Sequence, residues 1–149
     1  MLQIGTPAPD FKAPDQHGQV QTLSQYRGSW VLLYFYPRDN TPGCTEEACR
    51  LRDNHPSFEK LDAIVLGVST DSVQSHASFS SQHGLPFTII SDSEEKIVKE
   101  YGADGSARRI SYLIDPEGNI AKIYPSVKPS KHAAEVLEDL ATLQKDRAN

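Results

Sequence analysis

Two short apolar runs, Trp30–Tyr36 and Ala63–Ser69, show no alternation of polar and apolar positions. Uninterrupted runs rich in valine, leucine and aromatic residues are typical of strands buried on both faces, as in a parallel sheet covered by helices. The segment between them, Thr45–Leu61, has a helical composition. These three segments predict a strand-helix-strand unit with a right-handed crossover, which makes the two strands neighbours or near neighbours.

Helical and strand patterns alternate farther along the chain until two final strand patterns, joined by a tight turn, indicate an antiparallel hairpin. An apolar stripe from Ser130 onward predicts a closing amphipathic helix. Near the start, Asp10–Ser24 predicts a peripheral hairpin that turns at His17 and Gly18. The other predicted elements are the helix Thr70–Gly84, the strand Pro86–Ser91, the helix Asp92–Gly102 with a capping box from Asp92 to Glu95, and the strands Arg109–Asp115 and Ile120–Tyr124.

The length and composition fit one soluble α/β domain. A chain of 149 residues is expected to form a single domain, residues 1–149, with three layers, a mixed central sheet and the N-terminal hairpin. The net charge of −5 is spread without a basic run, which argues against a nucleic-acid partner. No apolar run approaches the roughly 20 residues of a membrane span, and no signal pattern opens the chain. We therefore expect a cytoplasmic protein without a membrane partner.

Both cysteines of the chain, Cys44 and Cys49, lie in the stretch YPRDNTPGCTEEAC. Thr41 has the side chain of a helix N-cap, and Pro42 suits the first helical position. On that register Cys44 lies in the first helical turn, where backbone N–H groups and the positive end of the helix dipole favour a thiolate. A reducing compartment keeps such thiols open unless their bridge is transient and catalytic.

The neighbours and the spacing of the two cysteines add two expectations. The charges of Glu46 and Glu47 oppose a thiolate at Cys44, so a compensating cation is expected from elsewhere in the fold. In a regular helix, residues five apart have Cα atoms nearly 9 Å apart, whereas a disulfide needs about 7 Å or less. Cys44 and Cys49 therefore cannot bridge unless the first turns of the helix melt.

Simpler explanations exist for these cysteines. Cys49 alone would more often be a small buried hydrophobic residue, but its pairing with Cys44 at a helix start favours a redox pair. A zinc site built from both thiols and two histidines is weaker, because no histidines show finger-like spacing. A thioredoxin-type exchange site would have two intervening residues, whereas this chain has four.

The run YFYPRDNTPGCTEEACRLRD, Tyr34–Asp53, resembles the active-site segment of peroxiredoxins, specifically the bacterioferritin comigratory protein or peroxiredoxin Q subgroup. The family's Pro-x-x-x-Thr-x-x-Cys motif corresponds to Pro37, Thr41 and Cys44, and the subgroup's second cysteine, five residues later, to Cys49. Order and spacing agree over nearly the whole chain.

A second segment, RRISYLIDPEGNI, Arg108–Ile120, is similar to the family's other active-site segment. Its arginine corresponds best to Arg109. Strand alternation directs only one of two adjacent arginines toward a pocket, so Arg108 is the alternative.

The resemblance implies a thioredoxin-like fold and specific roles for five residues. Cys44 would be the peroxidatic cysteine, which becomes a sulfenic acid, and Cys49 would resolve it into an intrachain disulfide. Thr41 would hold the thiolate or the peroxide through its hydroxyl, and Pro37 would shield the pocket from water. Arg109 would supply the expected cation and stabilise the charge that spreads over the breaking O–O bond.

The resemblance also implies partners. A hydroperoxide would be the substrate, thioredoxin or a similar dithiol protein the reductant, and no metal, haem or flavin cofactor would be needed. The self-contained cysteine pair favours a monomer. Two other functions stay open: a general thiol-disulfide oxidoreductase, and a binding module whose thiols only sense redox state.

Overall fold

The structure is a computed structural model that describes residues 2–104 and 109–148. Its strands are β1 (Lys12–Pro14), β2 (Val20–Thr22), β3 (Trp30–Phe35), β4 (Ala63–Ser69), β5 (Thr88–Ser91), β6 (Ile110–Ile114) and β7 (Ile120–Tyr124). Its α-helices are α1 (Pro42–Asp53), α2 (His55–Lys60), α3 (Val73–His83), α4 (Lys96–Glu100) and α5 (His132–Ala148).

The central sheet has five strands in the order β5-β4-β3-β6-β7. Strand β3 pairs in parallel with β4 and antiparallel with β6, and β4 pairs in parallel with β5. Strands β6 and β7 pair antiparallel, and β1 and β2 form the separate N-terminal hairpin. The predicted mixed sheet is confirmed, and the hairpin lies where the sequence places it.

Side chains of β3 alternate between two hydrophobic clusters, one on each face of the sheet. Trp30, Leu32 and Tyr34 belong to the cluster that contains buried residues of α1, α2, α3 and α5. The opposite cluster contains Val31, Leu33 and Phe35 with α4 and N-terminal residues. All six residues of β3 are buried, which explains the unbroken apolar run in its sequence. The architecture is the three-layer, thioredoxin-like α/β fold that was expected.

The segment predicted as one helix, Thr45–Leu61, contains a break. Helix α1 starts earlier, at Pro42, and ends at Asp53, and α2 follows after Asn54. Proline has no N–H to continue the helical ladder, and Pro56 lies where that N–H would reach back to Arg52. The N–H of Asn54 instead satisfies carbonyl groups of Arg50 and Arg52.

The predicted capping box at Asp92 and Glu95 is wrong in register. Helix α4 begins only at Lys96, with Glu95 as its N-cap in a left-handed conformation and without a side-chain cap bond. The Asp92 carboxylate nevertheless accepts a hydrogen bond from the N–H of Val98 at 2.8 Å, so it caps the helix from farther away. Within the described parts of the chain, no helix is long and apolar enough to cross a membrane.

Candidate active site

The pairing of β3 with β6 brings two distant segments together at one sheet edge. Phe35, the last residue of β3, is the register partner of Ile110, the first residue of β6. Because these strands are antiparallel, the chain leaving β3 toward α1 meets the chain entering β6 at Arg109. The Arg109 carbonyl accepts a hydrogen bond from the N–H of Val127 at 3.0 Å, which holds this residue in place.

Cys44 lies in the first turn of α1, as predicted, because Thr41 is the N-cap and Pro42 follows it. Its side chain is buried, with the residue 1% exposed. The Arg109 Nη2 donates toward the Cys44 Sγ at 3.3 Å. The sulfur thus faces a guanidinium charge at a helix N-terminus, and both favour negative charge on it.

Gly43 makes the close approach of this arginine possible. A Cβ atom at residue 43 would lie 2.5 Å from the Nη2 of Arg109 and 3.2 Å from its Cζ. Real Cβ atoms do not tolerate such a contact, so any larger residue would displace the guanidinium. The family resemblance assigned no role to Gly43, because a residue without a Cβ atom is needed there only once β6 places Arg109 beside it.

Glu47 also lies in the site, beside Arg109. Its carboxylate Oε1 lies 3.3 Å from the Nη1 of Arg109, and the residue is 1% exposed. Burial raises the pKa of Glu47 to about 7 even though the charge and hydrogen bond of Arg109 lower it. Near neutrality this carboxyl is therefore partly protonated, and it opposes a Cys44 thiolate less than its sequence position suggests. Glu46, in contrast, is exposed.

The loop from Pro37 to Thr41 is anchored by buried hydrogen bonds of Asp39. Asp39 accepts a hydrogen bond from Tyr36 at 2.7 Å, and its Oδ2 lies 2.7 Å from the Nδ1 of His76 in α3. Burial alone would raise the pKa of Asp39, but the hydrogen bonds from His76 and Tyr36 outweigh it and hold that pKa below its ordinary value. The loop before α1 is thus tied to a distant helix.

Within the described residues, one group of side chains has the spacing to hold a metal ion: Asp39, Asp71 and His76. This group contains neither cysteine. The two ring nitrogens of His76 face the Asp39 carboxylate and, at 2.9 Å, the carbonyl oxygen of Ile90. Both ring nitrogens of His76 are thus already engaged by oxygen atoms of the protein. The cluster is a structural hydrogen-bond network.

Cys49 has different surroundings, although it lies in the same helix. It is half-buried, and its Sγ lies 3.9 Å from the Nδ1 of His83 at the end of α3. Arg52, three residues later, donates from Nη1 to the carbonyl oxygen of His83 at 2.7 Å. Arg52 also forms an ion pair with Asp53 at 2.9 Å, at the end of the helix.

The remaining predicted site residues lie in the loop before α1. Pro37 is half-buried and lines a cavity of about 270 Å³ together with Phe35, Tyr36 and Thr70. The Thr41 hydroxyl donates to the carbonyl oxygen of Arg38 at 3.0 Å rather than capping α1. The alternative cation, Arg108, lies outside the described residues.

Residues 4–123 match the AhpC/TSA family. The chain belongs to the AhpC/TSA family. Peroxiredoxin Bcp of Bacillus subtilis (strain 168) is 42% identical to it over 149 aligned residues, which cover 93% of this chain and 95% of that protein. The resemblance to the bacterioferritin comigratory protein and peroxiredoxin Q subgroup is confirmed.

Solved structures agree with this assignment. A cysteine-to-serine mutant of Xylella fastidiosa PrxQ superposes with a TM-score of 0.93 at 34% identity, covering 97% of this chain and 98% of that one. The bacterioferritin comigratory protein of Xanthomonas campestris, studied for its alkyl peroxide reduction activity, has a TM-score of 0.89 at 32% identity, covering 94% of this chain and 98% of that one. The chain is a thiol-dependent peroxidase.

Proposed function

We propose that Cys44 is the peroxidatic cysteine of this peroxidase. The observation that carries the proposal is the guanidinium of Arg109, 3.3 Å from the buried Cys44 Sγ at the N-terminus of α1. The Cys44 thiolate attacks one oxygen of a hydroperoxide. The S–O bond forms as the O–O bond breaks, and the leaving alkoxide or hydroxide takes up a proton. The products are a Cys44 sulfenic acid and an alcohol or water.

Arg109 stabilises the charge that develops during this step. Negative charge spreads from the sulfur over both peroxide oxygens in the transition state, and a preformed donor at this place lowers the barrier. Thr41 and Pro37 take the roles that the resemblance implies: the hydroxyl holds the peroxide, and the proline ring excludes water. Both residues flank the Asp39 anchor, which supports a fixed geometry for them.

Cys49 resolves the sulfenic acid. Its thiolate attacks the Cys44 sulfur, an intrachain S–S bond forms as the S–O bond breaks, and the leaving hydroxide takes up a proton to become water. Both cysteines lie within α1, Pro42–Asp53, so the spacing argument applies and the helix must open for the bond to form. A dithiol protein of the thioredoxin type then reduces the disulfide.

The cellular setting is part of the same proposal. A resolving cysteine within the same chain completes the cycle without a second subunit, which supports a monomer. A thioredoxin-type reductant supports a location in the reducing cytoplasm. Size-exclusion chromatography with light scattering and cell fractionation test these two points.

A coupled assay with thioredoxin, thioredoxin reductase and several hydroperoxides tests the reaction. We expect turnover with hydrogen peroxide and organic hydroperoxides, and two thiols lost per peroxide in a single turnover. Rapid exchange with disulfide substrates but no hydroperoxide dependence would favour a general thiol-disulfide oxidoreductase instead. Thiol oxidation without turnover would favour a redox-sensing module.

A further inference from the structure

We infer that His83 is a further catalytic residue: it accepts the proton of the Cys49 thiol, so that Cys49 attacks as a thiolate when it resolves the Cys44 sulfenic acid. This inference rests on the function proposed above. It concerns only the formation of the disulfide. His83 takes no part in the attack of Cys44 on the peroxide.

The contact between the two side chains supports this role. The Cys49 Sγ and the His83 Nδ1 are 3.9 Å apart, within the range of a hydrogen bond that involves sulfur. With the proton of the neutral imidazole on Nε2, Nδ1 is an acceptor and the thiol S–H donates to it. Both residues are half-buried, so the pair is within reach of solvent protons.

A second contact keeps His83 beside Cys49. Arg52 lies three residues after Cys49, on the same face of α1. Its guanidinium binds the His83 carbonyl oxygen at 2.7 Å, at the end of α3 where helix carbonyls lack helical partners. The helix α1 therefore touches His83 at two points, its ring and its carbonyl group.

Among the described residues, the amino-terminal half of α1 has no side-chain hydrogen bond to α3 comparable to that of Arg52. Its side-chain contacts at the site run through Arg109, from Cys44 at 3.3 Å and from Glu47 at 3.3 Å. Oxidation of the Cys44 thiolate to a neutral sulfenic acid removes the negative charge that attracts Arg109. The turn that carries Cys44 is therefore the part expected to unwind, while Cys49 stays beside His83.

The step balances without a further reactant. His83 takes the proton of Cys49, and the Cys49 sulfur attacks the Cys44 sulfur. The S–S bond forms and the S–O bond of the sulfenic acid breaks. The hydroxide that leaves takes the proton back from the imidazolium as water, and His83 returns to its starting state.

The other groups around the pair are compatible with this transfer. The charge of Arg52 lies close to Cys49, and Asp53 is held by Arg52. Tyr34 also lies near Cys49, but burial, together with the charges of Glu47 and Cys44, raises the pKa of Tyr34 well above its ordinary value, so its phenol stays neutral. The His83 ring packs edge-on against Phe79 with centroids 5.1 Å apart.

The variant His83→Gln tests this role when sulfenic acid formation and disulfide formation are measured separately. Rapid mixing with hydrogen peroxide, acid quenching and intact-protein mass spectrometry give the rates of sulfenic acid formation and of disulfide formation. We expect the first rate unchanged and the second slowed about tenfold near pH 7, because an ordinary thiol is only a few per cent ionised there. The difference in disulfide rate between variant and parent should disappear above about pH 9, where an ordinary thiol ionises without a base. Added imidazole should restore part of the lost rate.

His17→Gln is the matched control, because His17 is exposed in the N-terminal hairpin and is expected to leave both rates unchanged. His83→Asn repeats the test with a shorter side chain, and a normal rate of sulfenic acid formation shows that either His83 variant is folded. An unchanged disulfide rate in both variants would overturn the inference. So would an equal slowing at every pH without imidazole rescue, which would mean that His83 only packs. If the parent protein forms no sulfenic acid, the proposed function itself fails.

Discussion

The two cysteines of α1 lie five residues apart and have almost nothing else in common. Cys44 is buried at the helix start and faces a guanidinium from β6, with a partly protonated carboxyl beside it. Cys49 is half-buried and faces an imidazole from α3. Under the proposed function, this difference would let one helix serve two steps: its first turn would activate the Cys44 sulfur, while its second half would hold the Cys49 sulfur at a distance.

The largest expected effect comes from exchanging the two sulfurs for oxygen one at a time. Cys44→Ser should lower the rate of the first peroxide reaction by more than about a thousandfold, because a serine hydroxyl is barely ionised. Cys49→Ser should keep that first reaction and lose recycling by thioredoxin. Stopped-flow measurement of peroxide consumption checks both. Equal peroxide consumption by Cys44→Ser and the parent would refute the assignment of Cys44, and normal steady-state turnover of Cys49→Ser would refute the resolving role.

Removing the cation tests the electrostatic side of the comparison. Arg109→Ala should slow peroxide reduction about a hundredfold, the typical loss when one preorganised donor is removed. The rate at which Cys49 is alkylated by iodoacetamide should change little, because Arg109 does not contact it. Arg108→Ala is the paired variant: a comparable loss there, with Arg109→Ala unaffected, would transfer the role to Arg108.

Gly43→Ala gives a subtler test of the same contact. The added Cβ would lie 2.5 Å from the Arg109 Nη2, so the guanidinium must move away from Cys44. We expect peroxide reduction to slow about tenfold, a partial loss of the donor's contribution. Stability should be unchanged or higher, because alanine is favoured over glycine in a helix by about 1 kcal/mol. A thermal melt and the peroxide assay on one sample measure the stability and the rate together. An unchanged rate of peroxide reduction would show that the Arg109 guanidinium can shift without slowing the reaction.

Glu47→Gln has the smallest expected effect on the reaction and a clear effect on stability. The folded-state pKa of Glu47, about 7, lies above its ordinary value of 4.5. Between these values the folded state keeps a proton that the unfolded state has released, so the parent loses stability as pH rises. Glu47→Gln should avoid this loss, and its advantage should grow by on the order of 2 kcal/mol from about pH 5 to about pH 7.5.

Denaturant unfolding at several pH values measures that difference. Glu46→Gln is the matched control, because Glu46 is exposed and is expected to change stability equally at all pH values. A parent and a Glu47→Gln variant with parallel pH profiles would contradict the raised pKa.

The features that the sequence predicts well are local. The N-cap at Thr41 and the proline at position 42 follow from backbone rules within a few residues, and they place Cys44 in the first turn. The buried strands follow from unbroken apolar runs. The break at Asn54 was missed, although Pro56 is a local signal for it.

The features that the sequence left open depend on pairing between distant segments. The need for a cation followed from the two glutamates, but the choice of Arg109 came from a family resemblance, because strand order sets which arginine reaches the helix. The contact of Asp39 with His76 and the contact of Cys49 with His83 join residues 34 or more positions apart. The burial of Glu47 depends on the packing of α1. No local sequence pattern predicts these features. The expectation of a single domain from length stays a prediction.

We propose that the two halves of α1 behave differently when the cysteines are oxidised. Amide hydrogen exchange on the reduced and the disulfide forms tests it most directly. We expect residues 44–48 to lose protection in the disulfide form, while residues 50–53 and the end of α3 stay protected. A helix that remains protected throughout in the disulfide form, or one that loses protection first around Arg52, would contradict it.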